Sequence, residues 1–186
     1  MYAADDPVEV VKDKMGFARR IDVVRQSIEQ GETSWFFHCY PNFNYRFETR
    51  SRHEVTITPQ TVRMRIGLDV TEVVPYRCSD KLQAHEDGHA EICKRIYTDA
   101  EQIAHDFCEE ALGRSFTGTG ANEKEATDNA VDIASKFVCE KYSERTGKLC
   151  DRVSEIYDEI TRHGMSEINE NKAIDQAFKR AQQQQR

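Results

Sequence analysis

Leu82, His85, His89, Ile92 and Ile96 recur at intervals of three and four residues, and no proline interrupts them. That spacing puts all five on one stripe of an α-helix, apolar apart from its two imidazoles. A chain with this stripe is expected to bury the helix with both histidines turned inward. Residues four apart project from the same face, so His85 and His89 can bind one metal ion together. The segment reads His85-Glu86-Asp87-Gly88-His89, an HExxH motif, and Glu86 falls beside the same ion. There it can take a proton from a water that the ion polarises. The bland alternative is a pair of satisfied core or surface histidines. Gly88 in the same turn either permits a close approach by a neighbouring segment or is a harmless helix glycine.

A catalytic zinc site needs a third protein ligand and keeps a position for water. Cys93 continues the stripe but lies about 12 Å from His85 along a helix, and His105 lies about 24 Å beyond His89. The ligand is therefore expected from beyond the glycine-rich turn at 113–120. If the next helix packs straight back, Glu140 and Glu144 come level with the histidines. On that geometry His163 overshoots by more than about 20 Å. It becomes available only if the chain breaks near Gly147 or reverses after the helix. The residues alone leave both possibilities open and lean toward the glutamates.

The chain of 186 residues fits one domain, 1–186, with flexible ends at 1–10 and 181–186. Ile21, Val24 and Ile28 share a face, which predicts a short helix over Ala18–Gln30. From Ser34 to Tyr76 aromatic and β-branched residues alternate, as in Phe43, Tyr45, Phe47 and in Val62, Met64, Ile66. This predicts three to five antiparallel strands. From Ser79 the period is helical. Ser79 or Asp80 caps a helix running to about Leu112, and residues 113–120 form a loop. Asn122 and Glu125 then make a capping box for a helix with Ala130, Ile133 and Phe137 on one face. Gly147 is a possible break, and a last helix covers Glu167–Arg180. The order is α+β: a short N-terminal helix, a small antiparallel sheet, then long helices carrying the motif.

Formal net charge is −7, which argues against a general nucleic-acid binder. No apolar run is long enough to span a bilayer. Met1-Tyr2-Ala3-Ala4-Asp5 shows no secretory signal. The six cysteines include no CxxC pair and fit disulfides in an oxidising compartment better than the alternative, six buried thiols in a cytosolic protein. An antiparallel pair of long helices brings Cys93 level with Cys139, and Cys39 is expected to pair with Cys78.

The stretch His85-Glu-Asp-Gly-His89-Ala-Glu-Ile92 resembles the HExGHxxI pattern of the predicted secreted zinc-dependent proteases of bacteria. Many members of that family carry a downstream YDxxTxHG segment, which stands here as YDEITRHG, residues 157–164. The resemblance implies a zincin-like scaffold, secretion or a periplasmic location, Zn2+, and a peptide or protein substrate. It also implies that His163 is the third ligand. In that reading His85, His89 and His163 bind zinc as neutral imidazoles and Glu86 is the general base. Tyr157 is the candidate oxyanion donor, with a core tyrosine as the alternative. Asp158 is either a partner that fixes a histidine tautomer or a solvated carboxylate. One departure is Val73-Val74-Pro75-Tyr76, which stands where a proline–tryptophan pair is expected. Two other functions stay open: a non-catalytic binding or inhibitory module on the same scaffold, and a metal amidase acting on cell-wall peptides.

Overall fold

The computed structural model describes residues 6–22 and 31–184. Its elements run β1 (Val8–Lys12), β2 (Gly16–Asp22), β3 (Glu32–Ser51), β4 (Glu54–Pro75), α1 (Asp80–Thr98), α2 (Ala100–Ala111), β5 (Phe116–Thr119), α3 (Glu123–Arg145), α4 (Gly147–Thr161) and α5 (Glu170–Gln183). The architecture is α+β.

β4 is the axis of the sheet. Its even-numbered residues Val62, Met64, Ile66, Leu68, Val70, Glu72 and Val74 are all buried, as the two-residue period of a strand requires. β5 pairs antiparallel with Glu54–Ile57, β1 parallel with Val62–Ile66, and β2 parallel with Asp69–Pro75. β3 also pairs with β4, and only Arg52 and His53 join them. A connection that short links antiparallel strands.

The sheet differs from the expected set of short antiparallel strands. Residues 34–76 form essentially two long strands, and both β1 and β2 run parallel to β4. Parallel pairing needs partners distant in sequence, so no local pattern announces it. The helix expected over Ala18–Gln30 is not found in its first part. Residues 16–22 form strand β2, with Ile21 60% exposed. The edge of β4 satisfies this backbone, and Arg19 stands opposite the buried Glu72 in register. Residues 23–30 lie outside the described residues. The segment 113–120 is not wholly a loop, since it contains β5.

The chain gathers into two compact units. One draws on Met1–Asp13, His38–Gly67 and Ala100–Glu144, the other on Lys14–Phe37, Leu68–Asp99 and Arg145–Arg186. In the first, α2 packs on β1. The buried face of α3 is Ala126, Ala130, Ala134, Val138 and Tyr142, which leaves Ile133 exposed. Small residues on that face let β5 come close. A Cβ on Gly118 would lie 2.2 Å from the Ala130 nitrogen and 2.3 Å from the Ala126 carbonyl oxygen. Asn122 caps α3 by accepting from the Glu125 nitrogen at 3.0 Å, and Glu125 reaches back to the Ala121 nitrogen at 2.9 Å.

A disulfide joins Cys39 to Cys139 in this unit, in place of the expected Cys93–Cys139 and Cys39–Cys78 pairs. The expectation assumed a tight helical hairpin. The connection from α2 to α3 instead contains β5, and α3 sets Cys139 against β3. In the other unit α1 packs on both α4 and α5. Arg19 binds Glu72 at 2.7 Å and also pairs with Asp87, tying β2 and β4 to α1. Among the described residues no helix is long and apolar enough to cross a membrane.

Candidate metal centre

Ser79 starts α1, its hydroxyl accepting from the Leu82 nitrogen at 3.1 Å. One turn later the helix turns inward, and His85, Glu86, Gly88, His89, Ile92, Cys93 and Ile96 are all buried. α4 lies antiparallel against this face. Thr161 meets His85, Asp158 meets His89, and Cys150 meets Cys93.

Gly88 makes the approach possible. A Cβ there would stand 2.2 Å from the Tyr157 hydroxyl oxygen and 2.6 Å from its ring carbon Cζ. Gly88→Ala is therefore expected to destabilise the fold by about 1–3 kcal/mol through overpacking. At about 2–4 °C per kcal/mol for a chain of this size, thermal denaturation should show a drop of several degrees. An unchanged midpoint would mean that the helices do not pack this closely.

His85 and His89 each place Nε2 3.1 Å from the same oxygen, Oδ1 of Asp158. The three ligand atoms lie within 4.8 Å of one another. Two atoms bound tetrahedrally at ~2.0–2.1 Å from one zinc ion stand about 3.3 Å apart, so the spacing suits one ion. The tautomer of His85 points the same way. The Thr161 hydroxyl donates to the Tyr157 carbonyl at 2.8 Å and so can only accept from His85 Nδ1, 3.4 Å away. That leaves a lone pair on His85 Nε2 facing a carboxylate oxygen. Such a pair needs a positive charge between its members, a proton or a metal ion, and the donor set fits zinc. Burial pushes the Asp158 carboxyl up, but the positive charge required between it and the imidazoles of His85 and His89 outweighs it. The net effect holds Asp158 well below the ordinary carboxylate range.

Glu86 is 4% exposed. Its Oε2 accepts from the Thr33 hydroxyl at 2.6 Å, and a Cβ on Gly31 would come within 2.5 Å of Oε1. The start of β3 thus clasps this carboxylate. Trp35, two residues further along β3, stacks toward His89 with ring centroids 6.2 Å apart, and its Nε1 donates to Asp151 at 2.9 Å. These residues line a cleft of about 1320 Å³ that reaches Leu82, Glu155, Asp158 and His163.

The other sequence-derived candidates fall as follows. His163 follows the end of α4, where Arg162, His163 and Gly164 take φ values of 51°, 54° and 78°. Its side chain is 79% exposed, with Nδ1 3.9 Å from Asp158 Oδ1, so it lies at the rim and outside the three-atom cluster. Tyr157 is fully buried. It stacks on His85 at 5.1 Å and donates to the His85 carbonyl at 3.4 Å, which makes it the floor under the histidines. Burial pushes its hydroxyl up. Glu140 and Glu144 lie on α3, in the other unit.

Two positions of this site carry no local signal. Thr33 lies in β3 and Gly31 just before it, and the Thr33 hydrogen bond to Glu86 spans 53 residues. Thr161 stood within the YDEITRHG segment, and only its contact with His85 gives it meaning. No protein-family model matches the chain, no curated protein matches it in sequence, and no solved structure matches it.

Proposed function

We propose that this chain is a zinc-dependent peptidase that uses Glu86 as general base. The observation that carries the reading is the convergence of His85, His89 and Asp158 on one point, with Glu86 in the same cleft. His85, His89 and Asp158 would hold a zinc ion, which would supply Lewis-acid chemistry toward a water, with a pKa near ~7, and toward a carbonyl. Glu86 takes the proton from the attacking water and passes it to the leaving amine. Thr33 holds the Glu86 carboxylate in place, and Thr161 keeps the His85 lone pair on Nε2. His163, exposed at the cleft rim, is positioned to donate to the developing oxyanion, the part earlier considered for Tyr157. The ligand set proposed here has Asp158 where the family resemblance implies His163. A peptide substrate suits a cleft of this volume. The Cys39–Cys139 bridge suits a secreted or periplasmic setting.

The test is metal uptake followed by hydrolysis. Stripped protein is expected to take up about one zinc per chain by the three-ligand logic. It should then cleave unfolded protein substrates, lose that activity to a chelator, and regain it with zinc. Failure to bind any transition metal overturns the reading. Tight zinc binding without hydrolysis of any peptide or cell-wall amide would leave a binding module.

A further inference from the structure

Four cysteines stand outside the Cys39–Cys139 bridge: Cys78, Cys93, Cys108 and Cys150. Two of them have ordinary partners. The Cys78 thiol donates to the Ser79 carbonyl at 3.3 Å, and the Cys108 thiol lies 3.5 Å from the Met64 sulfur. Cys93 and Cys150 face each other. Both are 0% exposed, and their sulfurs are 2.9 Å apart. Closing that gap to a bond of ~2.05 Å takes a movement of about 1 Å, less than side-chain rotation supplies. Cys93 lies one turn past His89 on α1, and Cys150 lies in the first turn of α4. Burial and the neighbouring Cys93 push the Cys150 thiol far up, so it is inert as a nucleophile in the folded chain.

We infer that Cys93 and Cys150 form a second disulfide, which clamps α1 to α4 beside the candidate metal centre. The two thiols give up two protons and two electrons. A low-molecular-weight disulfide, such as oxidised glutathione, accepts them through a mixed disulfide and leaves as two thiols. Because both sulfurs are sealed in the finished fold, exchange takes place before α4 seats fully on α1. The bridge closes a loop spanning 57 residues, which restricts the unfolded chain. It also fixes the helix that bears His85 and His89 against the helix that bears Asp158. This inference does not depend on catalysis or on bound metal.

The experiment is peptide mapping of the full chain. The protein is folded in a glutathione redox buffer, alkylated in acid, and digested without reduction. The expected result is two cross-linked species, Cys39 with Cys139 and Cys93 with Cys150, and alkylated Cys78 and Cys108. The Cys39–Cys139 species reports that oxidation was sufficient. Alkylated Cys93 and Cys150 in protein that carries the Cys39–Cys139 bridge would overturn the inference. So would either residue bridged elsewhere. A second measurement compares thermal midpoints with and without reductant. The loss on reduction is expected to be larger in the natural chain than in the C93A/C150A double variant. Equal losses in the two proteins would count against the bridge.

Discussion

Asp158→Ala is expected to strip the chain of zinc at concentrations where the unaltered protein stays loaded. The Asp158 Oδ1 atom stands 3.1 Å from both imidazole nitrogens and is the only oxygen in the three-atom cluster. Losing a group that merely supports a ligand costs about 10–100-fold in metal affinity, so losing a ligand should exceed about 100-fold. Competition against a chromophoric chelator reads this directly. The informative comparison is His163→Ala. With its side chain at the rim and Nδ1 3.9 Å from Asp158, it is expected to change zinc affinity only a few-fold. The reverse pattern, zinc lost with His163 and kept without Asp158, would move the third ligand to the histidine.

The second large effect is on turnover. Glu86→Gln keeps the size of the side chain and an oxygen that can accept from the Thr33 hydroxyl, which lies 2.6 Å from Oε2. It removes only the capacity to take a proton. Hydrolysis is expected to fall by about 10²–10⁴-fold, the usual contribution of general acid–base catalysis. Zinc stoichiometry and thermal midpoint should stay near their original values. If the variant hydrolyses peptides at an undiminished rate, Glu86 is not the base. If it loses zinc as well, the residue holds the metal site together instead.

Much of the first half of this site could be read from residues 79–96. The Ser79 cap, the inward stripe and the close approach at Gly88 are local facts about one helix, and helical spacing states them. The second half could be located but not resolved. Residues 157–164 do meet the histidines, because the helix restarts after Thr146 and lies back along α1. Which residue of that segment faces the two imidazoles depends on the register of the two helices. Cys150, Val153, Tyr157 and Thr161 form the buried stripe of α4, and Asp158 sits at its margin, whereas His163 lies within the left-handed turn that follows the helix. The parallel pairing of β1 and β2 with β4 had no local trace. Nor did the Cys39–Cys139 partnership, since spacing alone does not choose among the pairings of six cysteines. Strand β5 is hidden by Gly118 and the flanking Gly113 and Gly120, which read as a turn until α3 is seen packed against Gly118.

The distance along the chain between the parts of the candidate metal centre has a thermodynamic meaning. His89 and Asp158 are 69 residues apart in sequence, and only the seating of α4 on α1 brings them together. A nascent or truncated chain that ends before α4 owns two ligand atoms of three, however well its first helix is formed. Binding energy and helix docking are therefore a single linked equilibrium. Any change that loosens α4, even at its far end, is expected to raise the dissociation constant of an ion at this candidate site. Conversely, an ion bound at this candidate site would hold α4 in place on α1.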